Sequence, residues 1–308
     1  MTAIQAGRTA AGVIFASVLT TWIPGELPAQ AAAPFTVEWY PDTPMAGAAT
    51  IITLHAVDQD AARAVEEIAG TFGGQELHFD LSDGLSFSAL GGVPLDRSGQ
   101  MEISLIVHTS DAAQVTLTAQ LTAAAADYGT DTLTVPPRFT DALDSATASR
   151  VANERRMSRG VTDVAHSTAR MWEGSFSLPR MARVTSRFGR TRVLNGEPRG
   201  RHTGTDLDGE EGDLVQAAAA GIVAIAQEFF YSGNVVFINH GAGLITTYSH
   251  LSQIEVSEGQ SVRRGEVIGR VGATGRVTGP HLHWAARYGS IALNPLTLVD
   301  PKLTELLP

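Results

Sequence analysis

Five side chains in the second half of the chain could do chemistry together. His202-Thr-Gly-Thr-Asp206 places an imidazole four residues before a carboxylate, and Gly279-Pro280-His281-Leu282-His283-Trp284 places two imidazoles two residues apart. On an extended strand, positions i and i+2 share a face, so His281 and His283 project together. His250 follows Tyr248-Ser249, and His240 precedes a glycine turn. A catalytic zinc takes three protein ligands and keeps one position open. His202, Asp206 and one member of the His-x-His pair would supply such a set. The other member and His250 would remain as imidazoles beside the ion, suited to taking a proton or to meeting developing oxyanion charge. This combination points to metal-assisted hydrolysis of an acyl bond. The bland reading is a surface His202 with Asp206 as a turn former. His240 reads as structural, bonded to a backbone carbonyl, and Tyr248 and Trp284 read as packing residues.

Composition narrows the chemistry. There is no cysteine, which removes disulfides, thiolate metal sites and cysteine nucleophiles, so any metal must be held by His, Asp or Glu. The single lysine, Lys302, argues against Schiff-base and P-loop chemistry. Lys plus Arg total 22 against 32 Asp plus Glu, a net charge of −10, which gives no electrostatic reason to bind nucleic acid. With 308 residues, 44% of them hydrophobic, two domains are expected rather than one core or a disordered chain.

The elements that must position these residues read as mainly β. Residues 1–33 read as a secretory signal: Arg8, an uncharged apolar run from Thr9 to Ile23, the breakers Pro24-Gly25 and an Ala-x-Ala site within Ala29–Ala33. If uncleaved, it would serve as an N-terminal membrane tether. The chain beyond it is expected to lie outside the cytoplasm, periplasmic or secreted. Residues 34–137 alternate with period two, as in Phe35–Trp39, Glu76–Leu81, Ile103–Val107 and Val115–Ala119, with turn signals between, and predict an antiparallel β-sandwich. Ala61–Ala69 reads as a short helix. His55, His78 and His108 are scattered among strand residues and read as structural. Pro136-Pro137 marks a boundary, and residues 138–171 read as a helical connector broken near Gly160, with Arg150, Arg155, Arg156 and Arg159 on a solvated face. Residues 172–308 predict a compact, glycine-rich antiparallel β domain, with strands beginning near Gly221, Asn234 and Leu244.

The stretch from Val184 to Pro295 resembles the M23 (lysostaphin/LytM-type) zinc metallopeptidases. The resemblance rests on Thr185-Ser-Arg-Phe-Gly189, Asn195-Gly196, His202-Thr-Gly-Thr-Asp206, Tyr248-Ser-His250-Leu251, Gly272-Ala-Thr-Gly275, Thr278-Gly-Pro-His281-Leu-His283-Trp284 and Asn294-Pro295. More weakly, Phe87–Asp96 resembles the sandwich module that often precedes this domain in bacterial envelope proteins. The resemblance implies one zinc held by His202, Asp206 and His283, with His250 and His281 as the non-ligand active-site histidines. It implies hydrolysis of peptide cross-links in peptidoglycan, with the peptide stems as partner and substrate. Arg192 and Asn195 are candidate contacts to peptide carboxylates. A catalytically silent regulator of cell-wall amidases is the rival reading, but such proteins lose metal ligands and this chain keeps them. A carrier module, suggested by Val262-Arg-Arg-Gly265, fails for want of a lysine at a hairpin tip. The first module is expected to restrain the enzyme by intramolecular inhibition, so that a chain starting near Trp172 would be the more active.

Overall fold

The computed structural model describes residues 15–17, 34–174 and 176–306. The secretory-signal reading of residues 1–33 therefore lies outside the described residues, apart from Phe15–Ser17, a strand paired with Thr116–Thr118. No helix among the described residues is long and apolar enough to cross a membrane.

Period-two sequence gives strands, as expected, and the fold is mostly β. In the first module a five-stranded sheet faces a four-stranded one. Its long strands, Gly99–Thr109 and Gln114–Ala123, send Ile103, Leu105, Val107, Leu117 and Leu121 inward against Ile52 and Leu54 of the facing sheet. Two details differ from the sequence expectation. The helix begins earlier and is shorter, Gln59–Ala64, capped by Asp58, and the chain then becomes strand Val65–Phe72. The segment expected as one strand over 76–81 is two, Gln75–Leu77 in one sheet and Asp80–Asp83 in the other, so the chain changes sheets at His78-Phe79.

The connector is one helix, Ser145–Ala165, capped by Asp144, whose side chain accepts from the Ala146 and Thr147 amides. It runs through Gly160 without a break. A mid-helix glycine costs about 1 kcal/mol, and docking outweighs that cost. Val161 and Ala165 bury against Ile225, Phe229, Val235 and Ile245. The buried Glu154 carboxylate accepts the Phe230 amide at 3.0 Å and Arg150 Nε at 2.7 Å.

The second module is built on an eight-stranded sheet. Its strands include Val184–Ser186, Thr205–Asp208, His281–Tyr288, Leu244–Leu251, Gly233–Gly241 and Gly221–Phe229, paired antiparallel in that order. Alternation divides the His281–Tyr288 strand cleanly. Leu282, Trp284, Ala286 and Tyr288 enter the core, while His281, His283, Ala285 and Arg287 line a groove on the other face. Tyr248 sits across from Trp284, both fully buried, as expected of packing residues.

The two modules are joined more closely than a linker would allow. Ala49, Ile51 and Leu90 of the first module share a core with Ile291, Leu293 and Leu298 of the second. Strand Thr130–Leu133, which precedes the Pro136-Pro137 signal, pairs in parallel with Thr191–Leu194 of the second module. That parallel pair departs from the all-antiparallel expectation.

Candidate metal centre

Register brings the centre together. Asp206 stands directly across from His283 on the neighbouring strand, where opposed side chains are about 5 Å apart. His202 lies just before the Asp206 strand and reaches the same point. The Nε2 atom of His202 lies 2.9 Å from Asp206 Oδ1, His283 Nδ1 lies 2.8 Å from the same oxygen, and the two nitrogens are 3.0 Å apart.

The hydrogen bonds around this triad orient its lone pairs. His202 Nδ1–H donates to the Arg187 carbonyl at 3.0 Å, which leaves the Nε2 lone pair facing the Asp206 carboxylate. A lone pair aimed at an anion in a buried site is an arrangement that a cation resolves. Two nitrogens and one oxygen suit zinc, so the residues fit a metal. Asp206 is held ionised. Burial opposes its charge, but the close approach of the His202 and His283 imidazoles outweighs burial and holds its carboxyl well below the usual range. Burial pushes the His283 imidazole down.

Arg192, expected as a substrate contact, reaches the other oxygen of this carboxylate. Its guanidinium donates to Asp206 Oδ2 at 3.0 Å and lies within 3.9 Å of Asp131. Asn195 does not line the groove. Its amide is bonded to both backbone groups of Val135 and to Thr140, at a left-handed turn position with φ 52°.

His250 and His281 stand beside the triad. Their ring centroids are 5.1 Å apart, and His250 is 5.8 Å from His283. His281 Nδ1–H donates to the Gly279 carbonyl at 2.8 Å, and His250 Nδ1–H donates to the Thr274 carbonyl at 2.9 Å. Both therefore hold a lone pair on Nε2. His250 sits at φ 67°, a strained backbone for a residue with a side chain. Both Ser249 and His250 line the groove, against strict alternation. Burial, followed by the charges of His283 and His281, pushes the His250 imidazole down to about 3. His240 is structural: it is fully buried, its Nδ1 donates to the Ala220 carbonyl at 2.7 Å, and its Nε2 lies 2.7 Å from Thr246 Oγ1.

One participant escaped the sequence reading. Asp131, from the end of the first module, accepts Ser186 Oγ at 2.6 Å and pairs with Arg190. Ser186 in turn lies 3.3 Å from His202 Nδ1. No spacing signal links residue 131 to residue 202. Away from the groove, the nitrogens of His166 and of His78, a strand-region histidine read as structural, lie 2.8 Å apart near Glu76.

Residues 200–295 match the model of Peptidase family M23, and the chain carries a domain of that family. It is 45% identical over 106 residues to the DD-carboxypeptidase/endopeptidase Mpg of Neisseria meningitidis, covering 34% of this chain and 24% of that protein. It is 38% identical over 126 residues to the peptidoglycan DD-endopeptidase ShyC of Vibrio cholerae, covering 40% of this chain and 29% of that one. The chain thus spans about a quarter of the length of these curated relatives. A Pseudomonas aeruginosa crystal structure, described as that of an M23 peptidase candidate, superposes with a TM-score of 0.56 at 24% identity. It covers 84% of this chain and 96% of that one, and shares its fold.

Proposed function

We propose that the chain is a zinc-dependent endopeptidase that hydrolyses peptide cross-links of bacterial peptidoglycan in the cell envelope. The carrying observation is the convergence of His202 Nε2, Asp206 Oδ1 and His283 Nδ1 within 3.0 Å of one another, with two further imidazoles presenting free Nε2 atoms to the same groove. The names of the relatives, a DD-carboxypeptidase/endopeptidase and a peptidoglycan DD-endopeptidase, supply the substrate class.

His202, Asp206 and His283 would hold the zinc, and zinc held there would supply Lewis acidity to a scissile carbonyl. The chain's own groups do the rest. Arg192 fixes the second oxygen of Asp206 and so the direction of the first. The Nε2 of His250 or His281 accepts the proton of an attacking water. That nitrogen then carries an N–H that can pass to the leaving amine. Burial keeps His250 neutral across the physiological range.

A silent amidase regulator has no use for three convergent donors, and their presence favours the enzyme. Muropeptide digestion by the zinc-loaded chain, followed by mass analysis, is expected to show cleavage at cross-links that stops when a chelator is added and returns with zinc. Cleavage unaffected by chelation, or none with one zinc bound, would remove the proposal.

The first module is proposed to restrain this activity. Its last strand supplies Asp131 and Leu133 to the groove wall, so substrate access depends on where that strand lies. A chain beginning at Trp172 would also lose the helix that covers Ile225, Phe229 and Ile245. A chain beginning at Ser145 keeps that cover. Because it gives up the core contacts of Ala49, Ile51 and Leu90, its rate is taken per folded, zinc-loaded molecule; on that basis it is expected to turn over cross-linked substrate faster than the full chain, and equal rates would dispose of the idea.

A further inference from the structure

The groove beside the metal centre, a cavity of about 780 Å3, has the opposite charge to the chain around it. The chain is acidic overall, at −10, yet Arg155, Arg159, Arg192, Arg201, Arg276 and Arg287 all line this one cavity. Only two carboxylates do, Asp131 and Asp206, and both are engaged, by Ser186 and Arg190 in one case and by the triad and Arg192 in the other.

Two of these arginines stand apart from the rest because they are partly desolvated without an anion. Arg287 lies on the same strand face as His281 and His283, and its guanidinium donates to the Ser290 carbonyl at 2.7 Å. Arg276 stacks over the Tyr231 ring at 4.7 Å. Among the described residues, no carboxylate forms an ion pair with either. Burial disfavours the charge on both, and the neighbouring positive charges of Arg192 and Arg199 add to this at Arg276. A desolvated guanidinium is costly unless an anion meets it, and its planar fork matches a carboxylate. His283 to Arg287 is four residues of strand, roughly 13 Å, which is within the reach of a branched or extended peptide bound across the triad.

We infer that Arg276 and Arg287 are carboxylate receptors that select peptide substrates bearing free carboxylates near the scissile bond. This rests on the peptidase reading above and names the chemistry by which the same groove would choose its substrate.

The test compares a cross-linked peptide dimer carrying free carboxylates with the same dimer amidated at those positions, using the full zinc-loaded chain. The wild-type chain is expected to prefer the free form by roughly tenfold or more, the scale of a charge-assisted hydrogen bond, and the preference is expected in KM rather than kcat. Arg287→Gln and Arg276→Gln should each raise KM for the free form toward the amidated value, and Arg287→Lys should keep part of the preference. Equal treatment of the two forms by the wild-type chain, or variants that weaken both alike, would overturn the inference. If neither dimer is cut, the peptidase reading fails by itself. Calorimetric binding of the two dimers to His283→Ala then still decides the matter: tighter binding of the free form supports the receptors, and equal binding overturns them.

Discussion

Replacing His283 by Ala is expected to abolish both metal binding and cleavage, with turnover falling by roughly a thousandfold or more. His283 Nδ1 and His202 Nε2 both approach Asp206 Oδ1 within 3.0 Å, so removing one donor leaves two, too few to hold a catalytic zinc. Asp206→Asn should behave alike, because it keeps the shape and removes the charge. The neighbouring histidines should behave differently. His250 and His281 stand outside the convergent triad, so His250→Ala and His281→Ala should each retain close to one zinc while losing about 10²- to 10⁴-fold in turnover, the scale of general acid–base catalysis. Measuring metal content and rate on the same four preparations separates the two groups. A His283→Ala chain that keeps its zinc, or a His281→Ala chain that loses it, would break the assignment of ligands.

The contrast shows what the sequence could carry. His281 and His283 were legible as a pair because a strand repeats every two residues, and the same rule separates them from Leu282 and Trp284 in the core. Which strand stands opposite was not legible. The bond between Asp206 and His283 spans 77 positions, and nothing local in either motif specifies that register. The side chain of Arg192 looked free for substrate because its charge was visible and its partner, Asp206 Oδ2, was not. The pairing of the strand just before Pro136-Pro137 with Thr191–Leu194 was not legible either, because it is made through backbone bonds that carry no side-chain signature. Gly160 misled as well: helix propensity is local, while the burial of Val161 and Ala165 against the sheet is not.

Gly204 lies against the metal centre, and Gly204→Ala is expected to weaken zinc binding without replacing a ligand. A Cβ there would lie 2.6 Å from His283 Cε1 and Nε2 and 2.7 Å from the Trp284 carbonyl. The carbonyl cannot yield: Trp284 is fully buried and its strand is paired on both sides, to Thr205 and to Tyr248. Residue 204 must therefore back away from the carbonyl and the His283 ring must turn, so that Nδ1 leaves Asp206. Zinc affinity should fall by about 10- to 100-fold, the effect of disturbing the groups that orient a ligand, and turnover should fall at least as far. Stability should drop by about 1–3 kcal/mol, the usual cost of overpacking. Gly160→Ala provides the comparison. Its Cβ would meet nothing within 4 Å, so it should raise stability by about 0.5–1 kcal/mol and leave zinc binding as it was. Titration of both variants with zinc, alongside thermal melts of the metal-free chains, reads the two effects separately. A Gly204→Ala chain that bound zinc as tightly as the wild type would mean that the imidazole has room to spare, and that the glycine in His202-Thr-Gly-Thr-Asp206 serves the strand rather than the ion.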